Sequence, residues 1–166
     1  MKITFLAFCL SALSLQGFSQ VFNREAGIRG GLTSGFTYRQ YLDEYLAYEG
    51  LLSFRQGGIQ FTALRQVTEP ESFGISDNLW FVYGYGAHAG FYFSNVYKSM
   101  WYHDYYYPQR RLSPVLGIDA YAGLEYRVDE FPITIGLDYK PFFEFSVYQF
   151  FRLRLADMAF TVKYRF

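Results

Sequence analysis

The chain has 166 residues, room for one domain. Aromatics reach 23%, well above ordinary globular usage, while charged residues are held to 18% and cancel to a net charge of zero. That balance offers no basic field for a nucleic-acid partner, and a mean hydropathy of −0.02 argues against a bundle of membrane helices.

The first segment, MKITFLAFCLSALSLQGFSQ, reads as an export signal. Lys2 precedes an apolar run from Ile3 to Leu15, and small Gly17 and Ser19 stand at the spacing of a signal-peptidase site. Cleavage is expected after Ser19, leaving residues 20–166 as the working domain. The run is short for a retained helix, which needs about 20 apolar residues to span a bilayer. Cys9, the one cysteine, lies inside this signal, too early and behind too bulky a Phe8 to be a lipoprotein cysteine. An exported domain without disulfides needs some other device to hold it. No Cys/His spacing offers a metal, and no fingerprint offers a cofactor.

From there the apolar positions recur with period two, the mark of β-strands. AGIRGGLTSGFTYR, residues 26–39, sets Arg29, Thr33, Thr37 and Arg39 on its polar side. AYEGLLSFR, 47–55, sets Glu49, Ser53 and Arg55 against Tyr48, Leu52 and Phe54. IQFTALRQV, 59–67, alternates less cleanly, with Leu64 and Arg65 on the wrong faces. WFVYGYGAHAGFYF, 80–93, divides Phe81, Tyr83, Tyr85, Ala87, Ala89, Phe91 and Phe93 from Trp80, Val82, His88, Tyr92 and three glycines. LGIDAYAGLEYRV, 116–128, divides Leu116, Ile118, Ala120, Ala122, Leu124 and Tyr126 from Asp119, Tyr121, Glu125 and Arg127. PITIGLDYK, 132–140, and a last strand from about Ala156 to Phe166 repeat the pattern. RQGG at 55–58 and VDEFP at 128–132 read as tight turns, 68–78 as a longer loop and 94–114 as the longest.

The strands run to about 9–14 residues, against 5–6 in most soluble sheets. Their polar faces combine glycine with isolated charges of both signs, an odd composition for a solvated surface. A small transmembrane barrel reverses the usual arrangement: the apolar face meets lipid and the polar face fills the interior. Charges inside must pair, because an unpaired one is costly there. The expected interior ion-pair network is Arg29, Glu49, Arg55, Asp119, Glu125, Arg127, Asp138, Lys140, Lys163 and Arg165, with Arg39 and Asp157 on the same faces. The expected fold is therefore all-β, a closed antiparallel transmembrane barrel, most simply of eight strands, since an even count puts both ends on one side. Seven runs are clear. The eighth lies either in 22–42, split around LTSG at 32–35, or in 145–155. The alternative architecture is a secreted β-sandwich whose apolar faces pack on each other.

The motifs GIRGGLTSG, YEGLLSFR, YGYGAHAGFY, LGIDAYAGLEY, IGLDYKP and the closing KYRF resemble a family of small Bacteroidetes outer-membrane β-barrel proteins, over about Ala26 to Phe166. The resemblance implies the barrel fold and an outer-membrane location, and carries no catalytic residue. The chain departs from the pattern in FEFSVYQFFRLRL, 143–155, where bulky aromatics replace expected glycines. Outward Phe160 and Tyr164 with the terminal Phe166 resemble the C-terminal signal read by the barrel-assembly machinery.

Three functions compete. A structural or surface-binding barrel would display the 94–114 segment as its contact loop, where Trp101, Tyr102, Tyr105, Tyr106, Tyr107, Arg110 and Arg111, with His103 among them, bring the aromatics and arginines favoured at contact hot spots, or would anchor in lipid headgroups and lipopolysaccharide phosphates. A lipid A-modifying enzyme would need a nucleophile beside a base. His88 is followed by Ala89 and Gly90 rather than a serine, which leaves His103, Asp104 and Ser99. A narrow pore would line itself with the same inward charges. The first class, non-enzymatic and without cofactor or metal, is the expectation.

Overall fold

In the computed structural model of the chain, the described residues are 23–55, 58–70, 74–97, 105–146 and 151–166, with side chains described outside 94–111. The expected export signal lies outside them. Every described element is a strand: β1 (Arg24–Gly31), β2 (Ser34–Tyr41), β3 (Leu46–Arg55), β4 (Gly58–Pro70), β5 (Leu79–Tyr97), β6 (Tyr105–Arg127), β7 (Ile133–Tyr139), β8 (Phe142–Ser146), β9 (Arg152–Arg154) and β10 (Met158–Arg165).

These segments build a closed antiparallel barrel of eight staves. Neighbours in sequence pair from β1 to β6, and β10 returns to β1, with Gly27 opposite Lys163 and Ile28 opposite Val162. The seventh stave is β7 continued by β8, both paired to β6 in one unbroken register. The eighth is β9 followed by β10. Where they meet, Tyr139 faces Met158 but Phe142 faces Arg154, so one residue is extra on the β9–β10 side. This is a β-bulge, and Leu155 and Ala156 both face outward across it. Pro141, which has no N–H to give, occupies the interruption and keeps its carbonyl in use, accepting from Ala120 N at 2.9 Å.

The two sites proposed for the eighth strand are both used. The LTSG turn splits 22–42 into β1 and β2, and 143–155, read as a departure from the pattern, supplies β8 and β9. One expectation needs correction. Residues 94–114 are not mainly loop: β5 runs on to Tyr97 and β6 begins at Tyr105. The two strands satisfy each other's backbone groups beyond the barrel wall, so they need no third partner to continue. With 19 and 23 residues they far outreach β1 and β2 at 8 each, and the rim opposite the termini is steeply uneven.

Period-two alternation dictates which side chains fill the barrel. Along β6, Leu116, Ile118, Leu124 and Tyr126 are exposed while Gly117, Asp119, Tyr121, Gly123 and Glu125 are buried. Leu64, which broke the sequence pattern on β4, points inward and packs with Leu51, Val82 and Tyr121 in a small apolar cluster. Glycine is required where the lumen is most crowded. A Cβ on Gly117 would collide with Phe143 O and with the His88 ring.

Candidate functional site

The features that could carry function are the lumen and its two mouths. An eight-stranded barrel is just wide enough for side chains to fill. Near the termini, cross-strand register sets Glu25 beside Arg39 and Arg39 beside Glu49, a row of alternating charge over β1, β2 and β3. β6 lies diametrically across the ring from β2. Arg39 spans that diameter: Nη1 and Nη2 donate to the two oxygens of Glu125, each at 2.7 Å. The same guanidinium donates to Glu25 at 3.1 Å and through Nε to Glu49 at 2.9 Å. Lys163 Nζ donates to Glu49 and Glu125 at 3.1 and 3.0 Å, and the Thr37 hydroxyl donates to Glu49.

A second network occupies the other half. Arg29 grips Asp138 through Nε and Nη2 at 2.9 and 2.6 Å, and its Nη1 reaches Asp157 at 3.4 Å. Lys140 links Asp157 to Asp119, at 3.4 and 2.9 Å. His88 Nδ1 stands 2.7 Å from Asp119 Oδ2, which requires the ring proton on Nδ1, and Nε2 stands 3.6 Å from Glu144. Arg55 crosses a second diameter, from β3 to the seventh stave, donating from Nη2 to both Glu144 oxygens at 2.9 and 2.7 Å. Arg152 adds a contact to Glu144 at 3.4 Å. Arg39 and Glu125 form a two-nitrogen fork whose other donors reach Glu25 and Glu49, the geometry in which buried charge is tolerated, whereas Arg55 holds Glu144 through Nη2 alone and leaves Nη1 without a partner.

The structure brings Arg29, Glu49, Arg55, Asp119, Glu125, Asp138, Lys140 and Lys163 into the interior, all buried. Arg127 and Arg165 instead sit half-buried at the mouth beside the termini. Sequence reasoning missed Glu25 and Glu144. Glu25 continues the inward parity of Gly27 and Arg29 by one step, and Glu144 lay in the segment whose aromatics disguised a strand. Phe160 and Tyr164 point outward on β10, and Phe166 stacks on Tyr164 at 6.2 Å between ring centroids. Of the expected contact segment, Tyr105, Tyr106, Tyr107, Arg110 and Arg111 lie on the β6 backbone. Trp101, Tyr102 and His103 fall outside the described residues, as do Ser99 and Asp104.

At the terminal mouth a cavity of about 620 Å³ opens, lined by Glu25, Tyr41, Asp43, Glu44, Arg127 and Arg165 among others. The guanidinium carbon of Arg127 sits over the Trp80 ring, 3.9 Å from its centroid, and Nη2 donates to Tyr41 OH at 3.1 Å. Among the described residues no cluster of His, Cys, Asp and Glu could hold a metal ion.

No protein-family model, curated protein or solved structure matches the chain.

Proposed function

We propose that the protein is an integral outer-membrane β-barrel of the small Bacteroidetes type, non-enzymatic, serving as a structural or surface-binding scaffold, exported by its N-terminal signal and inserted by the barrel-assembly machinery. The observation that carries this reading is the inversion of polarity across the wall. Ile118 is 64% exposed, Phe160 54% and Leu137 53%, while Arg39 and Lys140 are wholly buried. Large apolar side chains surround the barrel, including Phe36, Phe54, Phe61, Tyr85, Leu116 and Phe145. A continuous apolar belt of this kind in water is an aggregation hazard, and lipid is the solvent that removes it. Closure supports the same reading, since backbone in a bilayer tolerates no open strand edge.

In this orientation the termini and the 128–132 turn face the periplasm, and the β5–β6 hairpin projects outside as the part presented to lipopolysaccharide and to any surface partner. The two diametric guanidinium–carboxylate pairs, Arg39–Glu125 and Arg55–Glu144, stand across the path a solute would take. They favour a plugged scaffold over a conducting pore.

The test is electrophoresis of membrane-extracted protein in detergent with and without boiling. A closed barrel resists unfolding cold and migrates differently once boiled. Identical migration together with recovery in the soluble fraction would contradict the proposal. Lipid A mass after expression checks the chemistry: an unchanged mass is expected, and a shift abolished by His103→Ala would revive the enzyme.

A further inference from the structure

The mouth beside the termini is built differently from the lumen above it. Inside, each guanidinium is matched to carboxylate: Arg29 to Asp138, Arg39 to Glu125, Arg55 to Glu144. Arg127 breaks that rule. Among the described residues it pairs with no carboxylate; its hydrogen-bond partner is the neutral phenol of Tyr41, and Nε has no acceptor at all. Its guanidinium carbon is set instead over aromatic rings, Trp80 at 3.9 Å and Tyr41 at 5.8 Å. Stacking of this kind orients a guanidinium and leaves its edge for a planar oxyanion.

Two of the nearby acids are committed elsewhere. Glu25 is already engaged, accepting from Arg39 at 3.1 Å, Thr134 at 3.3 Å and Tyr41 at 3.4 Å. Asp129 accepts from Asn78 at 2.5 Å. Asp43 spends Oδ1 on the amides of Tyr45 and Leu46, at 2.9 and 2.7 Å, which fixes the β2–β3 turn and leaves Oδ2 uncommitted. Asp43 and exposed Glu44 line the same cavity as Arg127. The cavity volume of about 620 Å³ falls within the range of small-molecule sites. It therefore presents an oriented, carboxylate-free cation on the β6 side and carboxylate groups on the β2–β3 turn.

We propose that this vestibule binds a small zwitterion, the free carboxylate end of an amino acid or short peptide, with Arg127 taking the carboxylate and Asp43 and Glu44 favouring a ligand that also carries an ammonium group. The site itself is independent of the membrane reading; only its location on the periplasmic side rests on that proposal.

Alanyl-alanine is the probe, titrated against the full barrel in detergent and followed by calorimetry and by Trp80 fluorescence in a Trp101→Phe background. Saturable binding is expected, weakened about tenfold by amidating the dipeptide's carboxylate and less by acetylating its amine. Arg127→Gln should lose about tenfold, with partial recovery in Arg127→Lys, while Asp43→Asn/Glu44→Gln should erase the preference for the free amine. Cold-gel mobility of each variant reports separately whether the barrel is folded. The unmodified protein decides the matter alone: absence of saturation in the millimolar range, or equal affinity for acid and amide, overturns the proposal even if the barrel is proven to lie in a membrane. Acetylation that leaves the affinity unchanged overturns the zwitterion and with it the roles of Asp43 and Glu44.

Discussion

Arg39 shows how much rests on one inward side chain. It faces Glu25, Glu49 and Glu125 at once, with Lys163 the other cation bonded to that set. Replacing Arg39 with methionine fills the space but strands carboxylate groups away from water, and should cost about 3–5 kcal/mol in urea unfolding of the detergent-folded barrel. Gly117 tests the opposite limit, since a methyl group there has nowhere to go. Gly117→Ala is expected to lose about 1–3 kcal/mol by the same measurement, whereas Gly74, with open space around its Cβ position and φ of 69°, should feel only the cost of its backbone angle. Much at this scale was legible from parity: Asp119, Tyr121 and Glu125 alternate with Ile118, Ala120 and Leu124 in sequence and in space. Partner choice was not. That Arg39 crosses the lumen to Glu125 follows from β2 and β6 standing opposite in the ring, a long-range consequence of closure that no local pattern contains.

At the scale of elements, the closing seam should be the most sensitive part. Val162 lies opposite both Ile28 and Ile135, so its strand is paired on each side. Val162→Pro removes a backbone donor and forces φ within that double ladder, and should abolish the cold-gel form. Pro141→Ala, at the interruption between β7 and β8, should leave it intact. Strand identity was readable wherever alternation was clean, as in 116–128. It failed in two places for different reasons. Across 143–155 the bulge puts Leu155 and Ala156 on the same face, which breaks the period. Across 94–114, turn-forming Ser, Asn and Pro and a dense run of Tyr hid two strands that support each other beyond the wall.

For the whole molecule, the decisive property is the inversion of polarity: charged pairs within, large apolar side chains without. A barrel so built depends on its solvent. Phe160→Arg places a cation on the outer face, where it should cost on the order of 2–4 kcal/mol near mid-depth in liposomes and progressively less toward either interface. In water the same change at an exposed site would be close to neutral. The sequence pattern suggested the inversion because both faces of each strand were visible in it, one greasy and one charged. It could not reveal the terminal vestibule, which needs Tyr41, Asp43, Arg127 and Arg165 gathered from different strands and turns. The most direct test is collisional accessibility of a nitroxide at position 118, introduced as a cysteine in a Cys9→Ser background with the barrel folded into liposomes. The account predicts strong relaxation by oxygen, which partitions into lipid, and little by a water-soluble nickel chelate. Strong relaxation by the chelate and weak relaxation by oxygen would place Ile118 in water and contradict it.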